Sequence, residues 1–271
     1  EKYKLSKYQE FEIYEPKHRH ITATRIKDRQ IQRSICDNYF YEAITKSFIY
    51  DNCACLKGKG TLFATDRLKQ HFQKYWYKHR SNDGWVLKCD IHHFFDSIDH
   101  DIAKQVVTKR VQNDHVKQMI FDIIDSFGDI GIGLGSQVSQ LIALAYLDDL
   151  DHYIKEQLHI KHYVRYMDDF ILIHEDKEYL KYCLKKITEH ITAIKLELNS
   201  KTTIQPLTLL PTRVRAMCGI TRPTKPRSPA KLTTDAAQTL AQKKSGSSLR
   251  STLLRAVLRS SNFADAAHGR A

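Results

Sequence analysis

Apolar positions recur along the first 208 residues in two periods, and the clearest pattern lies in Tyr163–His174, YVRYMDDFILIH. Val164, Tyr166, Phe170, Ile171, Leu172 and Ile173 have the β-branched, aromatic or aliphatic character of a half-buried strand. Asp168 and Asp169 interrupt the run, which predicts strand, tight turn, strand, with both carboxylates at the tip. A second strand-like run, Trp85–Asp90 (WVLKCD), buries Val86, Leu87 and Cys89 and ends on Asp90. Residues 1–16 read as a short helix, and ITAT after Arg19 and His20 as a short strand. The helical period predicts a helix from about Arg29, capped by Asp28, with Ile31, Ile35, Tyr39 and Ile44 on its buried face. It predicts another from Val138 through Leu141, Leu144, Ala145 and Leu147, and a third over 177–194 with Leu180, Cys183, Leu184, Ile187 and Ile191 inward. Asp96 and Asp99 read as caps of a helix over Ile102–Val111.

Composition divides the chain near residue 210. The net charge of +12 points to a nucleic-acid partner, yet residues 211–271 hold 12 Lys/Arg against 2 Asp/Glu, and the other 210 residues hold 31 against 29. The nearly neutral part must therefore make its case through local clusters. Residues 211–271 contain one aromatic, Phe263, where the first 210 hold 26, and RPTKPRSPAK reads as an extended linker. Two readings stand: the native frame ends near 208–212 and the rest is frameshifted, or the tail is a divergent, disordered basic segment that binds RNA phosphates. At 271 residues and 42% hydrophobic the chain can bury one large core or two small ones. It has no run of about 18 apolar residues and no apolar leader, so no membrane partner and a cytoplasmic location are expected. It starts at Glu1 rather than Met, which reads as a fragment. Six cysteines without a CxxC pair read as reduced thiols rather than a zinc site.

The candidate chemistry is in the acids. Two carboxylates fixed side by side repel each other, an arrangement that becomes favourable when divalent cations share them. A third acid, Asp90, lies 78 residues upstream of Asp168. Asp90, Asp168 and Asp169 meeting in space would hold two Mg2+ ions roughly 3.5–4 Å apart, as in-line nucleotidyl transfer requires. A solvated turn is the bland alternative. Asp148, Asp149 and Asp151 read as a solvated helix end, and the adjacent His92 and His93 are expected to point apart. Gly58 and Gly60 with Lys57 and Lys59 make a basic turn, and GKGT lacks the spacing of a phosphate-binding loop.

VLKCDIHHFFDSIDH resembles the first catalytic motif of bacterial retroelement reverse transcriptases, and RYMDDF resembles their YxDD box; the likeness covers about residues 17–208. It implies an α+β right-hand polymerase: fingers over 1–84, and a palm over 85–208 made of a small antiparallel sheet with helices on one face. The thumb would be absent or unrecognisable in an atypical basic tail over 209–271, with Cys218-Gly219 a candidate trace of the family's grip motif. The implied reaction is attack by a primer 3′-hydroxyl on the α-phosphate of a dNTP, templated by RNA. Asp90, Asp168 and Asp169 would hold two Mg2+ ions (Mn2+ as a substitute), with the carbonyl of Ile91 completing the coordination and Lys201 protonating pyrophosphate, unless Lys201 is a plain surface lysine. Arg19 and Arg29 would meet the triphosphate, where a planar guanidinium fork suits phosphate oxygens, or else form a solvated basic face. Phe95 would place a ring under the sugar that rejects a 2′-hydroxyl, one of Phe94 and Phe95 being a core residue. Lys57 and Lys59 would touch template phosphates, unless the turn is a plain helix-entry loop. The glycines at 131, 133 and 135 would admit a base pair close to the backbone. The implied partners are an RNA template, a DNA or RNA primer and dNTPs, with room for a small helical accessory protein.

Most relatives show QGxxxSP, whereas this chain has Leu134, Gly135, Ser139 and Gln140 in LGSQVSQ. An aliphatic residue in place of the Gln resembles the enzymes of diversity-generating retroelements and would loosen discrimination near the nascent pair. Phage-defence enzymes carry similar variants, and a catalytically dead fragment that only binds RNA and DNA is the remaining alternative.

Overall fold

The computed structural model describes residues 5–14 and 19–209; the basic segment 211–271, the frame change expected there and Cys218-Gly219 lie outside the described residues. The described chain opens on an antiparallel ribbon, β1 (Gln9–Ile13) paired with β2 (Arg19–Ala23), where a helix was expected. The reason lies in QEFEI, which alternates polar and apolar residues with the two-residue period of a strand.

After the ribbon, α1 (Ile26–Ile35) runs through a π-helical turn, Cys36–Phe40, into α2 (Tyr41–Thr45). The buried positions are Asp28, Gln32, Cys36, Phe40 and Ile44, one every four residues. An ideal α-helix would rotate that row away, and the wider π turn brings it back to the core. Ile31, Ile35 and Tyr39, the expected face, sit beside it and are half-buried. Asp28 does not cap the helix. It lies inside the first turn, 1% exposed, and accepts from the Ser6 N–H at 3.2 Å.

Next come α3 (Thr61–His79) and β3 (Trp85–Asp90), a 3-10 turn (Phe95–Ser97), then α4 (His100–Arg110) and α5 (Asp114–Asp125). The chain continues through α6 (Gln137–Tyr146), α7 (Asp148–His152), β4 (His162–Tyr166), β5 (Asp169–His174), α8 (Lys177–Ala193) and β6 (Thr203–Pro206). Asp99 caps α4, accepting from the Ile102 N–H at 3.1 Å, whereas Asp96 sits in the 3-10 turn 3.5 Å from His93. Four strands form one antiparallel sheet in the order β4-β5-β3-β6.

Helices cover both faces of this sheet rather than the one expected. Val86, Val164, Ile171 and Ile173 pack against Leu68, Phe72 and Tyr75 of α3. Leu87, Cys89, Tyr163, Phe170 and Leu172 join the main core with Leu141 and Ile142 of α6 and Leu180, Cys183 and Ile187 of α8. Double coverage explains why five successive residues of β5 are buried instead of alternating.

A histidine pair lies at the end of the sheet far from the Asp pair. There His71 of α3 meets His162 of β4 with their Nδ1 atoms 3.3 Å apart, and Asp51 accepts from His71 Nε2 at 3.1 Å. Burial, then the nearby charges of His71, Lys155, His79 and Lys74, hold the His162 pKa down to about 4. In the unfolded chain a histidine titrates near about 6.5, so the unfolded state takes the proton first as pH falls. The stability tied to neutral His162 is complete above about pH 6.5 and declines toward pH 4. His162→Gln is expected to flatten the fall in melting temperature between pH 7 and 5, as followed by calorimetry; an unaltered slope would assign that fall to other groups.

Candidate active site

β3 and β5 lie side by side in a register that sets Asp90 directly opposite Asp169. Directly opposed residues in an antiparallel pair have Cα atoms about 4.5–5.5 Å apart and side chains on the same face of the sheet. Asp168 follows Met167 in the two-residue turn that joins β4 to β5, so all three acids gather at one end of two neighbouring strands. Asp169 is 3% exposed, while Asp90 and Asp168 are half-buried and open to the solvent side. Met167 holds φ +57°, a left-handed backbone that an unbranched L-residue adopts only under local constraint.

Two-residue hairpin turns favour such a backbone, and a side chain with no motif to mark it in the sequence also reaches the Met167 carbonyl. Arg165, on β4, is wholly buried and spreads its guanidinium over three elements. Nε and Nη2 donate to the two Asp151 oxygens at 2.7 and 2.6 Å, Nη2 also to the Leu144 carbonyl and Nη1 to the Met167 carbonyl, each at 3.1 Å. Tyr163 donates its hydroxyl to Asp151 at 2.6 Å. Burial pushes the Asp151 carboxyl up, and the Arg165 charge opposes that shift. The guanidinium stays protonated at any accessible pH, so its charge favours the ionised carboxylate against the effect of burial. Of the supposed solvated end at 148–151, only Asp149 is exposed: Asp151 is 0% exposed, and Asp148 is 1% exposed and accepts from Arg110 Nη2 at 2.8 Å. The available signal was an arginine inside a strand together with acids abutting the apolar run LIALAYL at 141–147.

The remaining candidates divide. The Asn199 N–H donates to the Asp90 carbonyl at 2.7 Å, and Ile91 bridges Leu198, so the loop carrying Lys201 is stapled to the end of β3. Arg29 and Gly135 line one cavity of about 260 Å³ together with Gln32 and Gln137, with Leu134 and Gln140 half-buried alongside in sequence. Arg19 opens β2 opposite Ile13. Phe94 is the core member of its pair at 3% exposure, and Phe95 is half-buried with its ring 5.5 Å from that of Phe94. His92 and His93 are exposed, but their rings meet edge to face at 4.3 Å instead of pointing apart. Gly131 and Gly133 lie close against the protein itself: a Cβ at 131 would press on the Asp96 carbonyl, and one at 133 on the Phe127 ring.

Lys59 is turned inward. Its ammonium donates to the Tyr50 and Asn52 carbonyls at 2.7 and 2.9 Å and lies over the Tyr50 and Phe63 rings, and burial lowers its pKa. Lys57 is exposed, over the Tyr41 ring. Lys59→Ala is therefore expected to cost about 1–3 kcal/mol of stability, whereas Lys57→Ala, at an exposed side chain, should leave the melt unchanged. Parallel melts of the two variants check this; an unchanged melt for Lys59→Ala would reverse the assignment.

Among the described residues no three His, Cys, Asp or Glu side chains stand close enough to hold a metal by themselves. The donors at the hairpin tip are all carboxylate oxygens, two of them partly open. That suits Mg2+, which takes one or two carboxylates and completes its shell with water and substrate phosphates.

The fold is similar to that of solved telomerases. It matches apo telomerase from Candida tropicalis truncated from its C-terminal domain (TM-score 0.54, 12% identity, 73% of this chain and 49% of that one). It also matches telomerase from Candida albicans in complex with a TWJ fragment of telomeric RNA (TM-score 0.52, 11% identity, 73% and 41%). The chain thus spans less than half the length of these solved relatives. No curated protein sequence matches it. The chain belongs to the reverse transcriptase (RNA-dependent DNA polymerase) family, whose model matches residues 9–215. That family is one of nucleotidyltransferases, and its members generally use divalent metal ions, typically Mg2+.

Proposed function

We propose that this chain is an RNA-directed DNA polymerase that extends a DNA or RNA primer with dNTPs, with fingers over residues 1–84 and a palm over 85–208. The observation that carries the reading is the register that sets Asp90 opposite Asp169 with Asp168 in the adjoining turn. Asp90, Asp168 and Asp169, with the Ile91 carbonyl, would hold Mg2+. Bound there, Mg2+ would supply a lower pKa for the attacking 3′-hydroxyl and charge neutralisation for the triphosphate. Arg29, with Arg19, grips phosphate oxygens through its planar fork. Lys201, on the loop stapled to Asp90, hands a proton to the leaving pyrophosphate. Phe95, half-buried beside the core ring of Phe94, closes the space a 2′-hydroxyl would need.

An RNA template is supported by the family and by the fold shared with a telomerase solved with telomeric RNA. LGSQVSQ supports a place among diversity-generating retroelement enzymes. No helix among the described residues is long and apolar enough to cross a membrane. Primer extension on an RNA template with Mg2+ tests the activity: dNTP addition is expected, and its absence with intact full-length chain would sink the reading. Phe95→Val is expected to erode the preference for dNTPs over ribonucleotides by about tenfold or more. Single-nucleotide kinetics with both substrates check this, and an unaltered preference would remove Phe95 as the sugar gate.

A further inference from the structure

We infer that Arg165 is a positioning residue for nucleotidyl transfer, a buried strut that sets the Met167-Asp168 turn by holding the Met167 carbonyl. The inference rests on the polymerase reading for its kinetic consequence, but its geometry stands on the hairpin alone.

The main chain of Arg165 is fixed on both edges. Its N–H donates to the Asp51 carbonyl at 3.1 Å and its carbonyl accepts from the Cys53 N–H at 2.9 Å, while its other edge pairs with Phe170. The side chain crosses the core and is anchored at its far end by both oxygens of Asp151, on α7, and by the C-terminal half of α6 at Leu144. Four of the five guanidinium N–H groups are thereby directed, three to the anchor and one to Met167. Nη1 is thus aimed at the one residue of the hairpin whose backbone is left-handed. The planar fork permits this division of labour. A lysine ammonium at the same site could satisfy Asp151 but could not also span Leu144 and Met167 in fixed directions.

The turn needs such a support. Tyr166 pairs with Asp169 across it, so any relaxation of Met167 turns Asp168 relative to Asp169 and Asp90. Carboxylates that share a metal with a substrate must be held to about half an ångström, and side chains around a site do that by locking it from behind. Asp151 acts through Arg165, to which both of its oxygens are bonded. A plain core ion pair would need no bond to the turn, so the Met167 contact separates the two roles.

The test uses the full chain in three forms: wild type, Arg165→Lys, and the charge-free double variant Arg165→Leu/Asp151→Leu. Steady-state dNTP incorporation and its Mg2+ dependence are measured on each. Methionine methyl groups labelled with 13C report the hairpin directly, because the chain has three methionines, one of them Met167. The strut predicts a fall in kcat of about tenfold or more with KM for dNTP nearly unchanged, a raised Mg2+ concentration at half-maximal rate, and a displaced or broadened Met167 methyl signal. A folded variant with wild-type kcat, wild-type Mg2+ dependence and an unmoved Met167 signal would overturn it. Should the double variant not fold, Arg165→Lys carries the same reading. If wild type adds no dNTP, the polymerase reading fails on its own, and the Met167 signal still decides whether Arg165 sets the turn.

Discussion

Under the proposed function, replacing Asp168 or Asp90 with alanine is expected to lower RNA-templated dNTP incorporation by on the order of 10³-fold or more while leaving the melting curve where it was. Both side chains are half-buried at the open end of two strands, so neither truncation opens a cavity in the core. On the proposed reading the loss would arise from charge: the triphosphate and the developing leaving group need cations, and carboxylates from two strands would keep those cations in place. The two variants should fail together, because Asp90 and Asp169 face each other in register and neither strand alone supplies the full donor set. Single-turnover primer extension measures the effect. Incorporation by Asp168→Ala within tenfold of wild type would end the assignment of the hairpin as the reacting centre, whatever the family.

The second large effect is on stability. Asp151→Ala leaves the Arg165 guanidinium buried with no counter-ion, and breaking such a pair costs about 3–5 kcal/mol. Tyr163 loses its acceptor in the same substitution, which places the effect toward the upper part of that range. In urea the midpoint should move down by about 1 M or more. Replacing both members with apolar side chains of similar volume should recover most of the loss, since no orphan charge remains. A midpoint for Asp151→Ala that matches wild type would mean that water reaches Arg165, contrary to its burial.

Much of the architecture around the acids was legible along the chain. The Tyr163–His174 hairpin with its acids at the turn, the strand ending on Asp90, the helix through Leu141 and Leu144, and the one lined by Leu180 and Ile187 all stand where their periodicity places them. The misreadings share a cause. Asp148 and Asp151 look like solvated acids because composition counts charges without their partners, and those partners, Arg110 and Arg165, come from other elements. Lys59 looked like a phosphate contact for the same reason, its carbonyl partners lying seven and nine residues back. Residues 1–16 look helical by composition, yet β1 exists because β2 is there to pair with it. The expected one-sided sheet failed because α3, from the first 84 residues, folds over the second face.

By itself the chain's order determined which residues could be strands, helices and turns, and that three oxygen-rich side chains end two of the strands. Those properties follow from spacing and side-chain chemistry, which are local. Tertiary structure alone decided that Asp90 stands opposite Asp169 and that a buried guanidinium reaches the turn beside Asp168. Strand register and the pairing of buried charges depend on which distant elements meet, and the free energy that selects them comes from burying apolar faces together, a quantity that exists only once the chain has closed on itself.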